Sequence, residues 1–270
     1  MSAHHAHAEG ASLGLWAVWL LVVAVIALYA MAACQRPGWR RWQCASFIGG
    51  GALLLLGFSA PVVSWAHADL RGHMAQHLLL GMFAPLLLVL GAPVTLLLAS
   101  VPPRAGRAIV RLLHSSPARV LTHPFSALVL NIGGMFVLYA TPLFVASTQS
   151  PWLHALVHYH FVAAGYLFAW AIAGPDPAPA RPSLWLRGWV LFIGIGLHGT
   201  LAKWMYVHGW PQGTGRPLQE VQAAAQWMYY GGDIAEMLLI AAFAATWYHA
   251  LVPRQPHASS HRLDLRQTPQ

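Results

Sequence analysis

Charge is what this sequence has least of. Only 8% of its 270 residues are Asp, Glu, Lys or Arg, against about 25% in ordinary soluble domains. So few charges cannot cover a water-facing surface, which excludes a soluble globular protein and makes the lipid bilayer the solvent. Acidic residues are scarcest: 7 Asp and Glu face 15 Lys and Arg, a net charge of +8. That excess does not signal nucleic acid, because the arginines lie in short stretches between apolar runs, where membrane orientation selects them. Cysteine is nearly missing. Cys34 and Cys44 form neither a CxxC nor a CxxCH motif, which argues against a thiolate zinc site and a covalently attached c-type haem.

What is abundant is apolar sequence, 57% of the chain, with 13 Trp and 8 Tyr suited to anchoring span ends. Seven runs approach the roughly 20 residues that cross hydrocarbon: 13–33, 43–65, 73–99, 125–146, 152–173, 185–207 and 227–251. The fold class expected is all-α, a polytopic bundle of seven transmembrane helices at 13–251. A histidine-bearing tail precedes it at 1–12, with His4, His5 and His7, and a disordered tail follows at 252–270. The first run has no small-residue cleavage site and reads as a retained helix. Arg36, Arg40, Arg41, Arg104, Arg107, Arg111, Arg119, Arg181, Arg187, Arg254, Arg262 and Arg266 fall on one side; Arg71, Lys203 and Arg216 fall on the other. The positive-inside rule then puts the N-terminus outside and the C-terminus in the cytoplasm. Arg104, Arg107 and Arg111 share one helical face, as in a surface-lying helix. The stretch GPDPAPARP (174–182) reads as a plain proline-rich connector.

The polar residues inside the spans are not scattered. His73 and His77 open the third span, His154, His158 and His160 open the fifth, His198 lies in the sixth, and Asp233 and Glu236 lie in the seventh. At 1.5 Å rise per residue, His77, His158, His198 and Asp233 all sit roughly 8–14 Å below the outer surface. The inner halves are nearly dry, Asn131 apart. A charged side chain at the bilayer centre costs about 2.5–3.5 kcal/mol even on the lenient scale, so such groups face the interior and take partners. His73 and His77 are i, i+4 and share one face, as do His154 and His158; His160 points elsewhere. Imidazole suits copper, zinc, nickel and iron, and nearby thioethers, Met74, Met205, Met228 and Met237, tilt the set toward Cu(I). The metal candidates are His73, His77, His154, His158, His198 and Asp233, with Met74, Glu236 and Met237 as weaker members. Singly each is more often a packing residue; His67 and His208 read as solvated loop residues.

Three stretches carry a resemblance. HMAQHLLLGMFAPLLLVLGAP (73–93), LHALVHYHFVAAGYLFAW (153–170) and GDIAEMLLIAAFAATWY (232–248) resemble spans of the multi-pass CtaG family, assembly factors of haem-copper cytochrome c oxidases. The resemblance implies a bacterial inner-membrane protein that is not an enzyme and that delivers copper to an oxidase subunit, with periplasmic copper chaperones as further partners. It places the family's polar pattern on His73, His77, His158 and Asp233, and departs from it at Ile234 and Ala235, where family members carry glutamines. Two other readings stay open. Histidines across a bundle suit a b-type haem protein, although HxxxH sets both rings on one face. A metal transporter would need polar groups in both membrane halves.

Overall fold

The computed structural model describes residues 2–178 and 181–251. The C-terminal tail at 252–270, and the side chains of His4, His5 and His7, lie outside what is described. The described residues are helical, with no strand among them. In chain order the helices are α1 (Ser2–Cys34), α2 (Arg41–Gly57), α3 (Ala60–Ala68) and α4 (Leu70–Leu90), then α5 (Pro93–Ser100), α6 (Pro103–Leu113) and α7 (Ser116–Leu121). They continue with α8 (Pro124–Ala140), α9 (Leu143–Gln149), α10 (Pro151–Ala173), α11 (Leu184–His208) and α12 (Leu218–Leu251). Five helices are long and apolar enough to cross a membrane, and up to seven spans result if each bent pair counts as one.

The bends fall where proline chemistry puts them. The run 43–65 is α2 and α3, bent by 52°, with Pro61 in the first turn of α3. The run 125–146 is α8 and α9, bent by 80° at Thr141 and Pro142. A residue before proline is pushed out of the α region, and Thr141 is extended at φ −124°, ψ 170°. The run 73–99 is likewise divided: α4 stops at Leu90, and Ala92, before Pro93, is left-handed at φ 51°. The last helix starts at Leu218 rather than 227, because QEVQAAAQ is a good helix former that extends beyond the apolar part.

Two helices carry a π-turn in mid-span, Leu79–Phe83 in α4 and Val129–Gly133 in α8. Such turns free a backbone group and mark functional regions. In α4 the proline at 85 has no N–H for the Gly81 carbonyl. That oxygen faces Gly165 of α10, so closely that a Cβ there would lie 2.0 Å from it. In α8 the Leu130 carbonyl accepts from Nε2 of His160 at 2.9 Å. His160 thus points away from the other histidines and satisfies backbone.

The main core joins α4, α8, α10, α11 and α12, and includes Met74, Tyr139, Phe161, Met205 and Met228. A smaller cluster, Tyr29, Phe47 and Leu96, seats α1 on α2 and α5. The 174–182 connector does more than connect. Asp176 is fully buried, and its carboxylate accepts from the N–H groups of Val94 and Thr95 and from the Thr95 hydroxyl at 2.6–3.2 Å. It therefore caps α5 across the fold. The cysteines are free, Cys34 exposed and Cys44 half-buried. The buried histidines of α4, α10 and α11 lie at one end of the bundle, the histidine end, and most of the arginines lie at the other, the arginine end.

Candidate metal centre at the histidine end

Helix α4 begins at a well-made corner. Asp69 accepts from the Arg71 N–H at 2.7 Å, and the Arg71 guanidinium beside it holds its carboxyl below the usual range. The Leu70 N–H donates to Glu220 of α12 at 2.9 Å. From this anchored turn, His73 and His77 enter the core one turn apart, both buried. Nε2 of His73 lies 3.3 Å from the Tyr139 hydroxyl, and its ring meets Phe144 edge-on at 4.9 Å.

His77 has no polar partner. Its ring meets Phe161 edge-on at 4.7 Å and rests against Gly81. Both ring nitrogens are shut off from solvent, and neither has a hydrogen-bond partner. A neutral imidazole carries one donor and one acceptor, and an unmet buried polar group costs about 1–3 kcal/mol.

His198 of α11 is half satisfied. It is 1% exposed, and its Nδ1–H donates to Oε1 of Glu236 on α12 at 3.1 Å. Its Nε2 is buried without a partner. Gly232 makes the room, since a Cβ there would lie 2.1 Å from the His198 ring. A carboxylate on one ring nitrogen fixes the tautomer and leaves a lone pair on the other, the arrangement that accompanies metal-bound histidine.

The remaining candidates divide. His158 of α10 donates from Nδ1 to the His154 carbonyl at 2.9 Å, and its Nε2 lies 3.1 Å from the Gln76 amide oxygen. Gln76 is fixed in turn, its amide NH2 donating to the Gly57 carbonyl at 2.8 Å. Both nitrogens of His158 thus face an acceptor, and a neutral ring has one N–H to donate; ligation through Nε2 would need the Gln76 oxygen to give way. The His154 ring lies 4.3 Å from that of His158 and 5.3 Å from that of His67.

In the seventh span the expected carboxylate and the engaged one differ. Asp233 is half-buried and makes no hydrogen bond or ion pair among the described residues, whereas Glu236 holds His198. Three residues turn the helix by about 300°, and the longer Glu side chain reaches the ring from that offset. Met237 is 67% exposed and faces away from the bundle, while Met74 is fully buried. A cavity of about 30 Å³ lies beneath the imidazoles, touching Gly81, Asn131 and Glu236, enough for one or two waters. Among the described residues no three His, Cys, Asp or Glu side chains already converge as a metal cage. What the core holds is two incompletely satisfied imidazoles, His77 and His198, the second braced by a carboxylate.

Spacing and hydropathy do not single out Gln76, Tyr139 or the approach of His67 to His154. Gln76 had a signal, as a lone amide between two histidines in an apolar run. Tyr139 had none, since a tyrosine near a span end reads as an anchor.

Comparison with known proteins gives the family. Residues 17–250 match the family model described as cytochrome c oxidase caa3 assembly factor. Uncharacterized proteins of Mycobacterium bovis and of Mycobacterium tuberculosis are each 38% identical over 187 residues, which is 66% of this chain and 28% of theirs. An uncharacterized protein of Mycobacterium leprae is 35% identical over 173 residues, 61% of this chain and 26% of its own length. The chain thus spans less than a third of these curated relatives. No solved structure matches. With the match running through all the long helices, the chain belongs to the cytochrome c oxidase caa3 assembly factor family.

Proposed function

We propose that this multi-pass protein sits in the bacterial inner membrane with its histidine end outward, takes up copper there as cargo, and delivers it to a haem-copper oxidase during assembly. It acts as a carrier and not as an enzyme. The observation that carries the reading is the set of unmet ring nitrogens, Nδ1 and Nε2 of His77 and Nε2 of His198. A polar group buried without a partner is retained against its cost when something else supplies the partner. Copper fits that donor set, and the Glu236 carboxylate on His198 fits the outer shell of such a ligand. His73, His154 and His158 extend the imidazole layer at the same end of the bundle. Met74, Met205 and Met228 are buried in the same core. Donors without thiolate suit a carrier, since imidazole and thioether ligands exchange readily. The cavity beneath the rings, about 30 Å³, is far smaller than a haem.

The test is in cells that lack the gene and carry either the wild-type or the His77→Ala chain. With His77→Ala the oxidase should be made and carry haem but lack its buried copper. Oxidase with normal copper and activity in both His77→Ala and His198→Ala cells would overturn the reading.

A further inference from the structure

At the arginine end a second cavity, of about 130 Å³, is lined by Arg119, Thr122, His123, Trp170, Arg181 and Pro182. Its chemistry differs from that of the histidine end. Arg181 donates to the backbone carbonyls of Gly174 and Asp176, which leaves further N–H groups of its fork free. Burial pushes its guanidinium below the ordinary range. Arg119 has only a long contact of 3.4 Å to the Ser116 hydroxyl. Arg187, 2% exposed, donates to the Ile172 carbonyl, next in the chain to this wall. The nearby carboxylate, Asp176, caps α5 and supplies one negative charge that favours the Arg181 cation. None of the three arginines forms an ion pair among the described residues. Arg119, Arg181 and Arg187 outnumber the one nearby carboxylate, so the cavity, with Trp170 in its wall, is basic.

Its surroundings say which anion belongs there. Val120, Leu121 and Phe125, on the same segment as Arg119 and His123, are 62%, 47% and 46% exposed. An anion that sits against them needs an apolar body. We propose that this cavity binds the phosphate headgroup of an anionic phospholipid, with Arg119 and Arg181 on the phosphate oxygens and the acyl chains along Val120, Leu121 and Phe125. Basic pockets between membrane helices bind such headgroups, and each surface arginine strengthens the attraction about fivefold. The site is independent of the copper reading.

The test uses the full chain in detergent and native mass spectrometry with phosphatidylglycerol, phosphatidylcholine or inorganic phosphate added. Phosphatidylglycerol should be retained in preference to phosphatidylcholine. Arg119→Ala and Arg181→Gln should each weaken its retention about fivefold, and Arg104→Ala, on α6 away from the cavity, should not. Thermal unfolding without added lipid checks that the variants are folded; if Arg181→Gln is not, Arg119→Ala decides. Equal retention of the two lipids overturns the proposal. So does a loss in Arg104→Ala equal to that in Arg119→Ala, which would mark diffuse surface attraction. Displacement of the lipid by inorganic phosphate at equal concentration would assign the cavity to a soluble anion and overturn the lipid.

Discussion

His77 separates a structural histidine from a functional one, because the two roles predict opposite effects of losing it. A packing histidine contributes through its hydrogen bonds, and His77 has none. Replacing it with an apolar residue removes a buried polar group that costs about 1–3 kcal/mol when unmet. His77→Leu should therefore leave thermal stability in detergent unchanged or raised, while copper binding falls. His158→Leu should lower stability, since it removes the hydrogen bond that the ring donates to the His154 carbonyl. Glu236 yields a second contrast. Glu236→Gln should weaken copper binding roughly 10–100-fold, and Asp233→Asn should weaken it less, as measured by competition with a calibrated copper chelator. An equal loss in the two would mean that the carboxylate bonded to His198 has no special part. Of the individual residues, the imidazoles on α4, α10 and α11 were legible in the sequence, because an ionisable group inside an apolar run announces itself. The choice between Asp233 and Glu236 was not. It depends on a side-chain reach of one methylene and on the space that Gly232 leaves, and neither shows in spacing.

Among the helices, α4 and α10 matter most, because they meet where α4 has lost its regular hydrogen bonding. Gly81 offers its carbonyl to Gly165 across a gap that no side chain can enter. Gly165→Ala should force the helices apart and cost about 1–3 kcal/mol, the range for overpacked cores, read as a lower unfolding temperature in detergent. The rings of His77 and Phe161 lie at the same contact, so the variant should also weaken copper binding. Unchanged stability and copper would mean that the π-turn in α4 is slack and not tuned to the site. Helix existence was legible from hydropathy, and the i, i+4 pairing of His73 with His77 followed from helical period. The π-turns were not, because a hydrogen-bond register leaves no trace in an apolar pattern. The break at Ala92 and the bend at Thr141 were written in Pro93 and Pro142, yet both lie within runs long enough to read as unbroken spans. Asp176 was hidden for a different reason: a capping carboxylate reaches α5 from a segment distant in sequence, and only tertiary structure brings them together.

For the whole molecule, the buried histidines gather at one end of the bundle and most of the arginines at the other, and copper uptake from outside requires the histidine end to face outward. The arginine distribution predicts that a reporter active only in the cytoplasm, fused after α12, gives signal; signal from a periplasm-only reporter at that position would reverse the sidedness. The central claim is that the unmet imidazoles are copper ligands, and the most direct test is the copper content of the purified full-length protein after Cu(I) loading and gel filtration. Wild type, His77→Leu, His198→Leu and a surface control such as His208→Ala should be compared side by side. Copper should be retained by wild type and by the control, and lost from His77→Leu and His198→Leu while both remain folded. Full copper in the two folded core variants would contradict it and make the histidine layer a feature of packing alone.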